Sequence, residues 1–190
     1  LAVAPEDMEE MSGQFGGHLG FLGVQLVGGG ATRTESVRNA LALVPQEAEL
    51  VCVHDAARPC LSPLWVDAVF AEAARSGAAI LAWPLHGTLK RVTADHVIQQ
   101  TLPRAELWEA QTPQVFRVEL LRKAYQAGGD ATDDAALVEA LGHPVRVVPG
   151  DPRNIKVTRQ ADLGFANAVI GSLPKPKPKG WTHPFAEDRS

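Results

Sequence analysis

In VCVHDAARPC, residues 51–60, an aspartate stands directly after an apolar run. That is where a strand's carboxyl end meets solvent in an open α/β sheet, the edge at which such folds place their ligands. Asp55 is therefore a candidate metal ligand, since Mg2+ needs only one or two carboxylates beside a substrate's phosphates. Arg58 follows three residues on, and a turn-capping surface pair of Asp55 with Arg58 is the competing reading. VGGGATRTES, residues 27–36, sets three glycines between a strand and a helix start. Bare backbone N–H groups and the helix dipole can approach an anion there, although a plain tight connection uses the same residues. Arg104, Thr112 before Pro113 and Thr132 in ATDDA also lie at element ends. Thr132 reads first as an N-cap, and such a helix start can hold a phosphate as well. In NIKVT, Lys156 falls inside a short β-run between Ile155 and Val157, and an inward lysine requires an anion.

Positioning these residues requires an alternation of buried strands and helices. Apolar runs at residues 24–27, 50–54, 78–83, 145–148 and 155–157 read as strands buried on both faces, and amphipathic segments lie between them. The pattern is α/β, a mostly parallel sheet flanked by helices. Thr32 and Glu35 have capping-box spacing and open a helix to about Val44; Ser62 with Pro63 opens another that Gly77 closes. Thr132 is expected to cap residues 133–141, and Thr158 a last helix to about Ile170. Residues 85–102 alternate and read as a protruding β-arm. The PKPKPKGWTHPFAEDRS stretch, 174–190, is Pro/Lys-rich and reads as a tail. The organisation is a domain over residues 1–171, arm included, and a tail over 172–190.

Composition narrows the partners. With 190 residues, 45% of them apolar, the chain supports one globular domain. A net charge of −4 supplies no field to gather nucleic acid or an anionic membrane, so an anionic ligand must be held locally. There is no membrane-length apolar run and no leader-like start, so the expected compartment is cytoplasmic. Cys52 and Cys60 are too few for a disulfide framework and are expected to be reduced, with Cys52 in the core. The six histidines are scattered and none is assigned to a metal.

Taken in order, GGATRTES, VHDAARPC, GTLKRV, RAELWEAQTPQVF, ATDDAALVEALG and NIKVTRQADL resemble the 2-C-methyl-D-erythritol 4-phosphate cytidylyltransferase family, over residues 24–168. The resemblance implies a Rossmann-like nucleotidyltransferase, a homodimer through its arms, that moves CMP from CTP onto 2-C-methyl-D-erythritol 4-phosphate with Mg2+. By that likeness Gly29, Gly30 and Ser36 face the cytosine ring and ribose, Asp55 binds Mg2+, and Ala56 lies by the ribose. Arg58 and Thr88 contact the methylerythritol portion, with Thr88 and Arg104 in or at the base of the arm. Thr112, Thr132 and Lys156 hold the methylerythritol phosphate, Lys156 also reaching the α-phosphate of CTP. Lys156 and Asp55 are the implied catalytic pair.

The family's loop of the form AAGxGxR, followed by PK, has no counterpart in residues 1–23, where SGQFGGHLGFLG carries glycines without lysine or arginine. The expectation is that the protein begins upstream of Leu1, and that residues 1–190 alone expose a strand edge and catalyse poorly. Other readings are a cytidylyltransferase acting on ribitol 5-phosphate, a non-catalytic α/β nucleotide-binding module, and a tail that joins a downstream enzyme in a fused protein.

Overall fold

The computed structural model describes residues 1–129 and 131–176, and its centre is the antiparallel pair β4 (Ala78–Pro84) and β7 (Trp108–Arg117). β3 (Leu50–Val53) flanks β7 and β8 (Arg146–Pro149) flanks β4, giving the order β3-β7-β4-β8. β3, β4 and β8 share one direction and β7 opposes it. A separate parallel pair joins β1 (Ala2–Val3) to β2 (Val27–Gly28). The chain is α/β, as its alternation implies. β7 does not read as a strand in the sequence, because WEAQTPQVFR mixes polar residues with a proline that a central strand normally excludes. It forms because its polar side chains are satisfied within the fold: Gln114 donates to Asp133 at 2.9 Å and accepts from the Ala135 backbone at 3.0 Å.

The two central strands are buried on both faces. Ala78, Ile80 and Phe116 pack on one side against α2 (Arg33–Leu41), α4 (Val118–Ala127) and α5 (Asp134–Ala140), through Leu41, Leu121, Tyr125 and Val138. Ala79, Leu81 and Val115 pack on the other against Val69 and Ala73 of α3 (Pro63–Ser76). Period-two alternation sends successive residues to opposite layers, so β4 and β7 serve two cores at once. Phe116 is fully buried, and Phe116→Ala should lower unfolding stability by about 3–5 kcal/mol. Urea denaturation checks this; a loss below about 1 kcal/mol would place Phe116 outside the core.

α3 follows its sequence signals: the Ser62 hydroxyl accepts from Leu64 N–H at 3.2 Å, and Gly77 closes the helix at φ +90°. Two other caps differ. Asp133, not Thr132, caps α5, accepting from Ala136 N–H at 3.0 Å, because a carboxylate one residue nearer the helix reaches the open donors. At α6 (Gln160–Ile170) the Asp162 carboxylate reaches back to the N–H groups of Thr158 and Arg159, both at 2.9 Å, so Thr158 donates rather than caps. α1 (Met8–Phe21) has no sequence signal, being interrupted by glycines, and buries none of its residues. Residues 155–157 form no strand but an extended loop, tied by Val157 N–H to the Ala57 carbonyl at 2.7 Å. Cys60 is the core cysteine; Cys52 is exposed, on one of the two edge strands of the four-stranded sheet.

β5 (Leu89–Val92) and β6 (Ile98–Leu102) make the expected arm as an antiparallel hairpin, with Lys90 donating to Thr101 at 2.6 Å. Val92, Val97 and Ile98 on it are exposed. Among the described residues no helix is long and apolar enough to cross a membrane. Of the tail, residues 177–190 lie outside the described residues.

Candidate functional site

Asp55 lies just past the carboxyl end of β3, and three cations converge on its carboxylate. Lys156 Nζ is 2.9 Å from Oδ2, Arg58 Nε is 3.7 Å from the same oxygen, and Arg33 Nε is 3.4 Å from Oδ1. Burial alone would raise the Asp55 pKa, but the hydrogen bond and charge of Lys156, then those of Arg33, outweigh it and hold the carboxyl below its ordinary range. Asp55 is thus ionised near neutral pH.

Arg58 explains how a lysine from a loop about a hundred residues away arrives there. Its guanidinium is buried and donates to the Asn154 carbonyl at 2.6 Å, while Val157 N–H binds Ala57. These two bonds clamp the loop on either side of Lys156. Asn154, fully buried, donates to the Thr112 carbonyl at 2.8 Å and fastens the loop to β7. The pair of Asp55 with Arg58 is therefore a partly buried feature that shapes the site, not a solvated surface contact.

Five of the expected residues share one cavity of about 240 Å³: Asp55, Arg58, Thr112, Thr132 and Lys156. Ser36 and Ala56 line a second cavity of about 440 Å³. Arg33 and Asp55 line both, and so stand at the boundary between them. Thr88 is exposed beside the arm, and exposed Arg104 donates to the His86 carbonyl. Neither residue lines either cavity of its own chain.

The glycine-rich turn is a tight connection. Its N–H groups are occupied: Gly29 donates to the Val3 carbonyl at 2.7 Å, Gly30 to the Ser36 hydroxyl at 3.0 Å, and Ala31 to the Glu35 carboxylate at 2.7 Å. The Ser36 hydroxyl in turn donates to the Thr32 carbonyl at 3.0 Å. A Cβ on Gly30 would lie 2.2 Å from that of Glu35. Close packing against α2, rather than bare donors, is what these glycines provide.

Thr112 is likewise engaged. Its hydroxyl accepts from Asp55 N–H at 3.0 Å and lies 2.9 Å from His54 Nδ1, while His54 Nε2 lies 3.0 Å from the Arg58 carbonyl. A carbonyl only accepts, so Nε2 carries the ring proton, Nδ1 accepts, and the Thr112 hydroxyl donates to it. In this structure the hydroxyl fixes the Asp55 turn, and Thr112 still lines the cavity.

Burial lowers the His54 pKa, outweighing the Arg58 carbonyl and Asp55, which raise it. Because the folded value lies below the unfolded one, the unfolded chain takes up the proton first. The stability this contributes is complete above about pH 6.5 and is lost as pH falls towards the folded value. Melting midpoints between about pH 7 and 5 should fall more steeply for the parent than for His54→Gln; equal slopes would refute the neutral ring.

Sequence reading passes over Arg33, Asp134 and Tyr125. Arg33 Nη2 bonds Asp134 Oδ2 at 2.7 Å, and Tyr125 donates its hydroxyl to the other oxygen of this fully buried carboxylate. One signal exists for Arg33: a cation at a helix N-terminus opposes the dipole and needs a carboxylate nearby.

Among the described residues no three His, Cys, Asp or Glu side chains group as a metal cage. Asp55, ionised beside an anion-sized cavity that Asp133 also lines, still suits Mg2+, which keeps waters and shares its ligands with substrate phosphates.

The sequence model described as IspD, 2-C-methyl-D-erythritol 4-phosphate cytidylyltransferase, matches residues 1–172. A protein of that name from Dechloromonas aromatica (strain RCB) is 49% identical over 146 residues, covering 75% of this chain and 64% of the relative. A bifunctional enzyme IspD/IspF from Anaeromyxobacter sp. (strain Fw109-5) is 45% identical over 171 residues, covering 86% of this chain and 44% of the relative. The chain thus spans less than two thirds of either relative's length. The crystal structure of 2-C-methyl-D-erythritol 4-phosphate cytidylyltransferase from Thermus thermophilus superposes with a TM-score of 0.72 at 39% identity, covering 78% of this chain and 74% of that one.

Proposed function

The chain belongs to the 2-C-methyl-D-erythritol 4-phosphate cytidylyltransferase family, and from that premise we propose that it transfers CMP from CTP to 2-C-methyl-D-erythritol 4-phosphate. The products are 4-diphosphocytidyl-2-C-methyl-D-erythritol and pyrophosphate. The observation that carries the reading is the two cavities meeting at Arg33 and Asp55, with Lys156 on the Asp55 carboxylate. A phosphoryl acceptor and a nucleotide can each occupy one side and meet at that boundary.

In this reading the nucleoside lies towards Ser36, Ala56 and the glycine turn, and the acceptor phosphate towards Arg58, Thr132 and Lys156. A phosphate oxygen of the acceptor bonds to the α-phosphorus of CTP as the bond to the departing pyrophosphate oxygen breaks. Two anions must approach, so positioning and cations do the catalysis. Lys156, with 43% of its side chain exposed, can turn from Asp55 to the α-phosphate oxygens. Asp55, with Thr112 and His54 fixing its turn, would hold Mg2+, which supplies charge neutralisation at the phosphates.

The reading extends to a homodimer in which the exposed arm of one copy brings Thr88 and Arg104 to the other's acceptor cavity, consistent with the apolar hairpin surface at Val92, Val97 and Ile98. A cytoplasmic setting accords with two free cysteines. The test is pyrophosphate release with CTP, Mg2+ and either 2-C-methyl-D-erythritol 4-phosphate or ribitol 5-phosphate. Release with the first alone is expected. Release with ribitol 5-phosphate alone would reassign the acceptor, and CTP binding without turnover on either would favour a binding module.

A further inference from the structure

The Asp134 carboxylate is fully buried, lines neither cavity, and uses both oxygens, one on the Tyr125 hydroxyl and one on Arg33 Nη2 at 2.7 Å. Arg33 therefore bridges two carboxylates, with its Nε 3.4 Å from Asp55. Without Asp134, three cations would face Asp55 alone, since Asp133, the other carboxylate lining that cavity, is tied to Gln114 and the Ala136 N–H. Such a site attracts anions and repels a divalent cation. Asp134 shifts that balance, because a charge with no exposed surface is screened far less than one in water.

Resting on the nucleotidyl-transfer reading above, we propose that Asp134 is a positioning residue that orients Arg33 and balances its charge, so that Asp55 can bind a divalent cation with the nucleotide. Tyr125 holds the far oxygen of Asp134 and so fixes the direction from which Arg33 is drawn. The arrangement differs from structural pairing in its consequences. Loss of packing weakens every ligand alike, whereas loss of this charge favours the metal-free anion over the less negative metal-bearing one.

The experiment titrates CTP into the purified protein by calorimetry, once in excess Mg2+ and once in EDTA, and compares the two affinities. For Asp134→Asn the affinity in EDTA should rise more than that in Mg2+, lowering their ratio (Mg2+ over EDTA) by about tenfold, or about 1.4 kcal/mol. Arg33→Gln removes the balanced charge instead and should raise the ratio. It keeps the test usable if Asp134→Asn does not fold, since the glutamine amide can still donate to Asp134 and the Tyr125 hydroxyl stays on the other oxygen. Parallel weakening in both media, or a ratio unchanged in Arg33→Gln, overturns the role of Asp134 while leaving the site reading intact. Absence of CTP binding by the parent in both media overturns the site reading, and the inference with it.

Discussion

On the proposed nucleotidyl-transfer reading, alanine in place of Lys156 should lower the rate of pyrophosphate release by about 10²- to 10³-fold, the scale of removing one preorganised donor to developing charge. The fold should survive. The Lys156 side chain is 43% exposed, and a pair of this kind adds only about 0–1 kcal/mol, or at most about 4 °C in the melting midpoint. Asp55 keeps Arg33 and Arg58 as partners, so no carboxylate is left uncompensated. A rate within threefold of the parent, in protein with an unchanged midpoint, would remove Lys156 from the reaction.

Asp55→Asn should cost about 10³-fold, comparable to the several kcal/mol that a bound metal contributes at the phosphates. The amide keeps the shape of the turn, and the backbone N–H at position 55 still donates to Thr112. What disappears is the charge that gathers Lys156, Arg58 and Arg33. A rate within tenfold of the parent at the Mg2+ concentration that saturates the parent would refute a direct metal role. The double variant of Asp55→Asn with Lys156→Ala should be little worse than Asp55→Asn alone. Two groups in contact that serve one transition state do not lose their effects additively.

Local chemistry in the sequence determined a good deal. The α/β alternation, the Ser62 and Gly77 ends of α3 and the hairpin arm follow from residue types a few positions apart, and the described structure contains all three. Asp55, Thr112 and Thr132 stand out by type and by place at element ends, Arg58 by its spacing from Asp55 and Lys156 as a cation inside a short apolar run, and folding brings them around one cavity. Tertiary structure alone decided which of their polar atoms are still available. The glycine-turn donors reach Val3, Ser36 and Glu35, the Thr112 hydroxyl is held by His54, and Arg33 meets Asp134 101 residues away. β7 formed against its sequence pattern for the same reason, its Gln114 being satisfied by partners outside the strand. Capping and periodicity act over one or two turns and can be read in order along a chain. Whether a donor is occupied, or a charge balanced, depends on groups that only packing brings within hydrogen-bonding distance.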